Sequence, residues 1–91
     1  MAGKKFKQRK TDVIQDGVVY RLCEDRFEEE YSVYTYTEDL PEKVLIADRI
    51  HDIPVTIIGT KCFYRSQLRE AVLPDTIKMV GSESFAGCKN L

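Results

Sequence analysis

An internal repeat narrows the folds open to this chain. Val55-Thr56-Ile57-Ile58-Gly59-Thr60-Lys61-Cys62-Phe63 returns, position for position, as Ile77-Lys78-Met79-Val80-Gly81-Ser82-Glu83-Ser84-Phe85. Gly59 matches Gly81 and Phe63 matches Phe85. Val55/Ile77 and Ile58/Val80 stay apolar, while Thr60/Ser82 and Cys62/Ser84 stay small. Upstream, Val44-Leu45-Ile46-Ala47 parallels Ala71-Val72-Leu73-Pro74, with an insertion around Arg49 to Ile53 in the first copy. Leu68 opens the second unit, and Leu91 stands where a third would open. A period in the low twenties is the signature of stacked coils, each burying one face on its neighbour.

The positions define one coil. A short strand from Arg69 to Leu73 is expected to pair with Lys43 to Ile46, and Pro74, lacking an N–H, ends the ladder. Ile77 and Val80 are expected to point inward, Gly81 to let the chain turn sharply where a Cβ would clash, and Phe85 to stack on Phe63. Side chains alternate along a strand, so Val44, Ile46, Ala71 and Leu73 face the core. Lys43, Leu45, Glu70 and Val72 then face outward, and these four are the candidate partner-facing positions.

The remainder divides into a basic tail over residues 1–11, read as flexible, and a capping β-hairpin over 12–42. Two repeat units fill 43–91. Val18, Tyr20 and Leu22 alternate with Val19, Arg21 and Cys23, and Tyr31 to Thr37 is rich in β-branched and aromatic residues. Asp16-Gly17 signals a turn before the first of these strands, and the charged run Glu24 to Glu30 connects the two. Tyr31, Tyr34 and Tyr36 are read as the hydrophobic face of the cap.

Charge and chemistry exclude several classes. Residues 1–10 carry five basic side chains and no acid, so the rest of the chain carries a formal charge of −6. Such a body repels phosphates, and nucleic acid is not an expected partner; the run Lys4-Lys5-Phe6-Lys7-Gln8-Arg9-Lys10 reads as a solvated tail. The sequence has no apolar stretch long enough to span a bilayer, so no membrane span is read. No apolar stretch follows the basic start either, so no signal peptide is read. A cytoplasmic chain with reduced thiols at Cys23, Cys62 and Cys88 follows. His51 with Cys62 or Cys88 lacks a third group for nucleophilic catalysis, and the spacing fits no usual zinc pattern. The acidic run 24–30 lacks the order of a calcium loop. No catalytic residue, cofactor or metal is expected.

The second unit, Leu68-Arg-Glu-Ala-Val-Leu-Pro74, Ile77-Lys-Met-Val-Gly81 and Ser84-Phe85-Ala-Gly-Cys88-Lys-Asn-Leu91, resembles the repeat of BspA-like leucine-rich repeat proteins. The first unit departs from that pattern where Ala47 replaces the proline and Ser66 the cysteine. The resemblance covers about residues 12–91 and is strongest over 53–91. It implies a mainly β, right-handed solenoid with short helical turns and an N-terminal β-hairpin cap. Members of the family are typically surface or secreted proteins engaged in adhesion and protein recognition, which sets a second location beside the cytoplasmic one.

The resulting expectation is a non-catalytic protein-interaction scaffold, the N-terminal fragment truncated from a longer array, with self-association through its exposed C-terminal repeat edge. The alternative is a purely structural capping module with no ligand of its own.

Overall fold

The computed structural model describes residues 6–24 and 27–91; Lys4, Lys5, Asp25 and Arg26, which fall in the tail and the acidic run above, lie outside them. The described residues form eight strands: β1 (Val13–Gln15), β2 (Val18–Glu24), β3 (Glu29–Tyr36), β4 (Lys43–Leu45), β5 (Arg49–Ile50), β6 (Ile53–Ile58), β7 (Glu70–Val72) and β8 (Met79–Val80). A curled sheet runs β1-β2-β3-β6-β5 with β8 also on β6, and β4 pairs with β7 in a second, two-stranded sheet.

The N-terminal part holds three strands where two were expected. Asp16 and Gly17 both adopt left-handed backbone (φ 52° and 75°), as a two-residue hairpin turn requires. The turn folds Val13–Gln15 back as a strand on β2, pairing Val13 with Tyr20. On β2, Val18 and Tyr20 enter the core with Leu22 packed beside them, as the alternation predicts. β3 does not keep one parity. Its pairing with β2 steps from Thr35 opposite Val19 to Val33 opposite Tyr20, skipping Tyr34. This bulge sends Tyr31, Val33 and Tyr36 into the core and leaves Tyr34 on the opposite, exposed face. The three tyrosines therefore do not form one face: alternation already sets Tyr34 opposite Tyr31, and the single extra residue reverses the side-chain order beyond it and returns Tyr36 to the core side.

The repeat becomes physical in the second half. β4 and β7 lie parallel with Lys43 opposite Glu70, Val44 opposite Ala71 and Leu45 opposite Val72. On the other side β3, β6 and β8 run parallel, with Tyr31 opposite Val55 and Ile58 opposite Val80. Between them the two turn segments are bonded rung to rung. The Lys61, Phe63 and Arg65 N–H groups donate to the carbonyls of Ser82, Ser84 and Ala86 at 3.0, 2.9 and 2.8 Å. The rings of Phe63 and Phe85 stack at 5.6 Å with 19° between planes, and Tyr36 continues the column at 6.4 Å from Phe63.

These turns are not helical; among the described residues no helix is present. Lys61 and Glu83, equivalent positions of the two units, share the left-handed conformation, as do Arg65 and Gly87, and each interrupts helical winding. At Gly81 the expected clash is present, though not through left-handed backbone, since its φ is not positive. A Cβ there would lie 2.5 Å from the Thr60 nitrogen, and one at Gly59 would lie 2.6 Å from the Val33 oxygen. Both glycines serve close approach of one rung to the one before it. The additional residues of the first unit form a hairpin, β5 against β6, turned by His51 and Asp52 (φ 50° and 64°).

Val80 differs from its expected inward setting. Ile58 is fully buried and Val80 is 55% exposed, because Ile58 is covered by β8 whereas no described residue covers β8 in turn. The same contrast separates Ile46 from Leu73 and Leu68 from Leu91.

Candidate partner-binding ledge

Alternation in β4 and β7 places Leu45 and Val72 outward and side by side, 70% and 46% exposed. Lys43 and Glu70 stand beside them as exposed neighbours of opposite charge. Beneath, Val44 and Ile46 are buried, and Ala71 packs against the core. Leu73, expected in the core, is 37% exposed. Sequence parity therefore brings Lys43, Leu45, Glu70 and Val72 onto one exposed stripe.

Past the ends of these strands the stripe runs into a cavity of about 360 Å³ lined by Leu45, Val72, Leu73 and Pro74 together with Asp16 and Asp48. Its walls are held from behind. The Tyr20 hydroxyl accepts the Ala47 N–H at 3.0 Å. Burial pushes the Tyr20 phenol above its ordinary pKa, while the bond to Ala47 works the other way; the group stays neutral. The Asp48 carbonyl accepts the Val55 N–H at 2.8 Å. The turn carrying Asp16 is fixed because the Gly17 carbonyl accepts the Thr37 N–H at 2.8 Å. Asp16 was read from sequence only as a turn residue. Its part in this wall follows from the hairpin folding across the strand ends, which no local pattern reports.

The opposite face of the β1–β3 sheet carries a second polar cluster that the sequence reading missed. Arg21 holds Asp12 by two bonds, Nε to Oδ1 and Nη2 to Oδ2, both 3.0 Å. Its Nη2 also donates to the Lys7 carbonyl at 2.9 Å, and the guanidinium lies 3.6 Å from the centre of the Tyr34 ring. The signal was available: a two-residue turn at Asp16-Gly17 places residue 12 opposite residue 21. The Arg21 hydrogen bond holds the Asp12 carboxyl below its usual range, against the opposing effect of burial. The guanidinium is committed to these contacts, so the cluster fastens the segment 6–12 to the sheet.

The remaining candidates are dispersed. His51 is exposed in the β5–β6 turn, whereas Cys62 is fully buried. The Cys88 thiol donates to the Phe63 carbonyl at 3.0 Å and sits 3.3 Å from the Ser66 hydroxyl. All three cysteines are unbridged thiols. Among the described residues no group of three or more His, Cys, Asp or Glu is gathered as a metal site, and no helix is long and apolar enough to cross a membrane.

No protein-family model matches the chain, and no curated protein sequence matches it. Its fold is similar to that of a leucine-rich repeat protein from Bacteroides capillosus ATCC 29799, whose crystal structure superposes with a TM-score of 0.79 at 24% identity. The match covers 90% of this chain and 62% of that one, so the chain spans less than two-thirds of that structure's length.

Proposed function

We propose that the chain is a non-catalytic scaffold of the BspA-like leucine-rich repeat kind, capped at its N-terminal side, which presents Lys43, Leu45, Glu70 and Val72 to a protein partner. The observation that supports this most directly is the pairing of Leu45 with Val72. Two large apolar side chains held in register on a rigid strand pair and left open to solvent form a surface suited to protein contact. The fold class points the same way, since its members stack coils to build extended binding surfaces. On this reading the second coil seats a further coil, which would cover Leu73, Val80 and Leu91 as the second coil covers Ile46, Ile58 and Leu68.

The test is a photo-crosslinking residue placed at position 45 or 72, with position 38 on the cap as control, in cells of the source organism. The scaffold reading expects a discrete protein adduct from 45 and 72 and none from 38. Equal adducts from all three, or none, would overturn it. The rival reading is a cap with no ligand of its own. It expects that added repeats raise the melting temperature while positions 45 and 72 remain unlabelled.

A further inference from the structure

The ledge has an end, and the end has a charge. Lys43 and Glu70 offset one another across β4 and β7, but no such balance exists at the cavity where the stripe stops. Asp16 and Asp48 line it, no basic residue does, and both are exposed. Among the described residues neither carboxylate enters an ion pair. Both sit beside anchored backbone, since the Asp48 carbonyl and the Gly17 carbonyl each accept a main-chain N–H, and a positioned main chain of this kind reduces the cost of binding. The same cavity is lined by apolar surface from Leu45, Val72, Leu73 and Pro74. The volume, about 360 Å³, is at the small end for ligand pockets, which run to roughly 300–1,000 Å³. It suits one large side chain and its flanking backbone better than a whole cofactor.

We propose that this notch anchors a basic peptide segment of the partner, seating one large apolar side chain against Leu45, Val72 and Leu73 while flanking Lys or Arg residues meet Asp16 and Asp48. The inference rests on the scaffold reading and specifies its partner. Complementary charge is the argument for the choice: an acidic segment would meet two unpaired carboxylates on a body of net charge −6.

The test uses three fluorescein-labelled peptides: Gly-Ser-Lys-Phe-Lys-Ser-Gly, a twin with Glu in place of both Lys, and a twin with Gly in place of Phe. Anisotropy gives the affinities at low and high salt, and amide chemical shifts give the location. The basic, Phe-containing peptide is expected to bind and to shift the amides of Leu45, Ala47, Asp48 and Val72. Each twin is expected to bind at least fivefold more weakly. The double variant Asp16→Asn/Asp48→Asn should weaken binding about fivefold, as expected for two exposed charge pairs, and high salt should remove the difference between variant and parent. Asparagine accepts left-handed backbone, so the Asp16 turn survives the change. Binding that ignores peptide charge, shifts that map elsewhere, or no binding by the basic peptide would overturn the proposal. Adducts from positions 45 and 72 together with silent peptides would leave the scaffold reading standing and remove the basic partner.

Discussion

Replacing Gly59 by alanine should destabilise the protein, although its local backbone gives no reason for it. Its φ is not positive, and at such a position exchange of glycine for alanine ordinarily stabilises by about 0.4–1 kcal/mol, through the unfolded chain. The obstacle is the previous rung. The new Cβ would lie 2.6 Å from the Val33 carbonyl oxygen, where ordinary contact begins at 3.4 Å, and the neighbour is main chain. Opening the gap by about 0.8 Å lengthens the bond from the Gly59 N–H to that same oxygen, now 2.9 Å, beyond useful range. The lost bond costs about 0.5–1.5 kcal/mol and the forced repacking about 1–3 kcal/mol. After the unfolded-state gain, a net loss of about 1–3 kcal/mol remains. For a chain of this size each kcal/mol lowers Tm by about 4–8 °C, so thermal unfolding followed by circular dichroism resolves it. Gly81→Ala, whose Cβ meets Thr60 at 2.5 Å, should fall in the same direction but by less, because only the outer rung is displaced. An unchanged or raised Tm for Gly59→Ala would refute the close-stacking argument outright.

Phe63→Ala should cost about 3–5 kcal/mol in urea unfolding, and Phe85→Ala roughly half that, since only Phe63 is fully enclosed. Tyr20→Phe leaves the Ala47 N–H without its acceptor, at a cost of about 1–3 kcal/mol, and should speed hydrogen exchange of that amide. Asp12 has a depressed pKa in the fold, so its contribution is present above the unfolded value near 3.8 and is lost as pH falls through the lower folded value. Asp12→Asn should destabilise near neutrality by about 3 kcal/mol and show a flatter loss below about pH 4 than the parent. The exposed rung at Met79 and Val80 predicts concentration-dependent association in sedimentation velocity, which Val80→Lys should reduce; no association, or association unchanged by the variant, would refute this.

The sequence carried the strand pairing well and the turns poorly, for physical reasons. Strands β2, β3, β4 and β7 follow from alternation, and Phe63 over Phe85 follows from the internal repeat, because both are periodic. The bulge at Tyr34 is one aperiodic residue, and alternation continued past it from Tyr31 and Val33 assigns Tyr36 to the face it does not occupy. Left-handed Lys61, Arg65 and Glu83 leave no compositional trace, so turns expected to be helical are not. His51 and Asp52 did carry a trace, since His and Asp are enriched among residues of positive φ, yet the stretch was read only as excess length. Of the ledge, the four outward residues were legible from parity. Asp16, which also lines the cavity, arrives through the β1–β2 turn of the other sheet.

The two sheets keep different spacings along the chain. More sequence separates Lys43 from its partner Glu70 in β4 and β7 than separates Ile57 from Met79 in β6 and β8, and the surplus is spent in the hairpin at His51-Asp52. Loop length at that corner is therefore decoupled from the core. Foreign segments spliced between His51 and Asp52 would project from the rim while Phe63 and Phe85 stayed in contact, which makes the corner a natural place to display a second recognition element on the same frame.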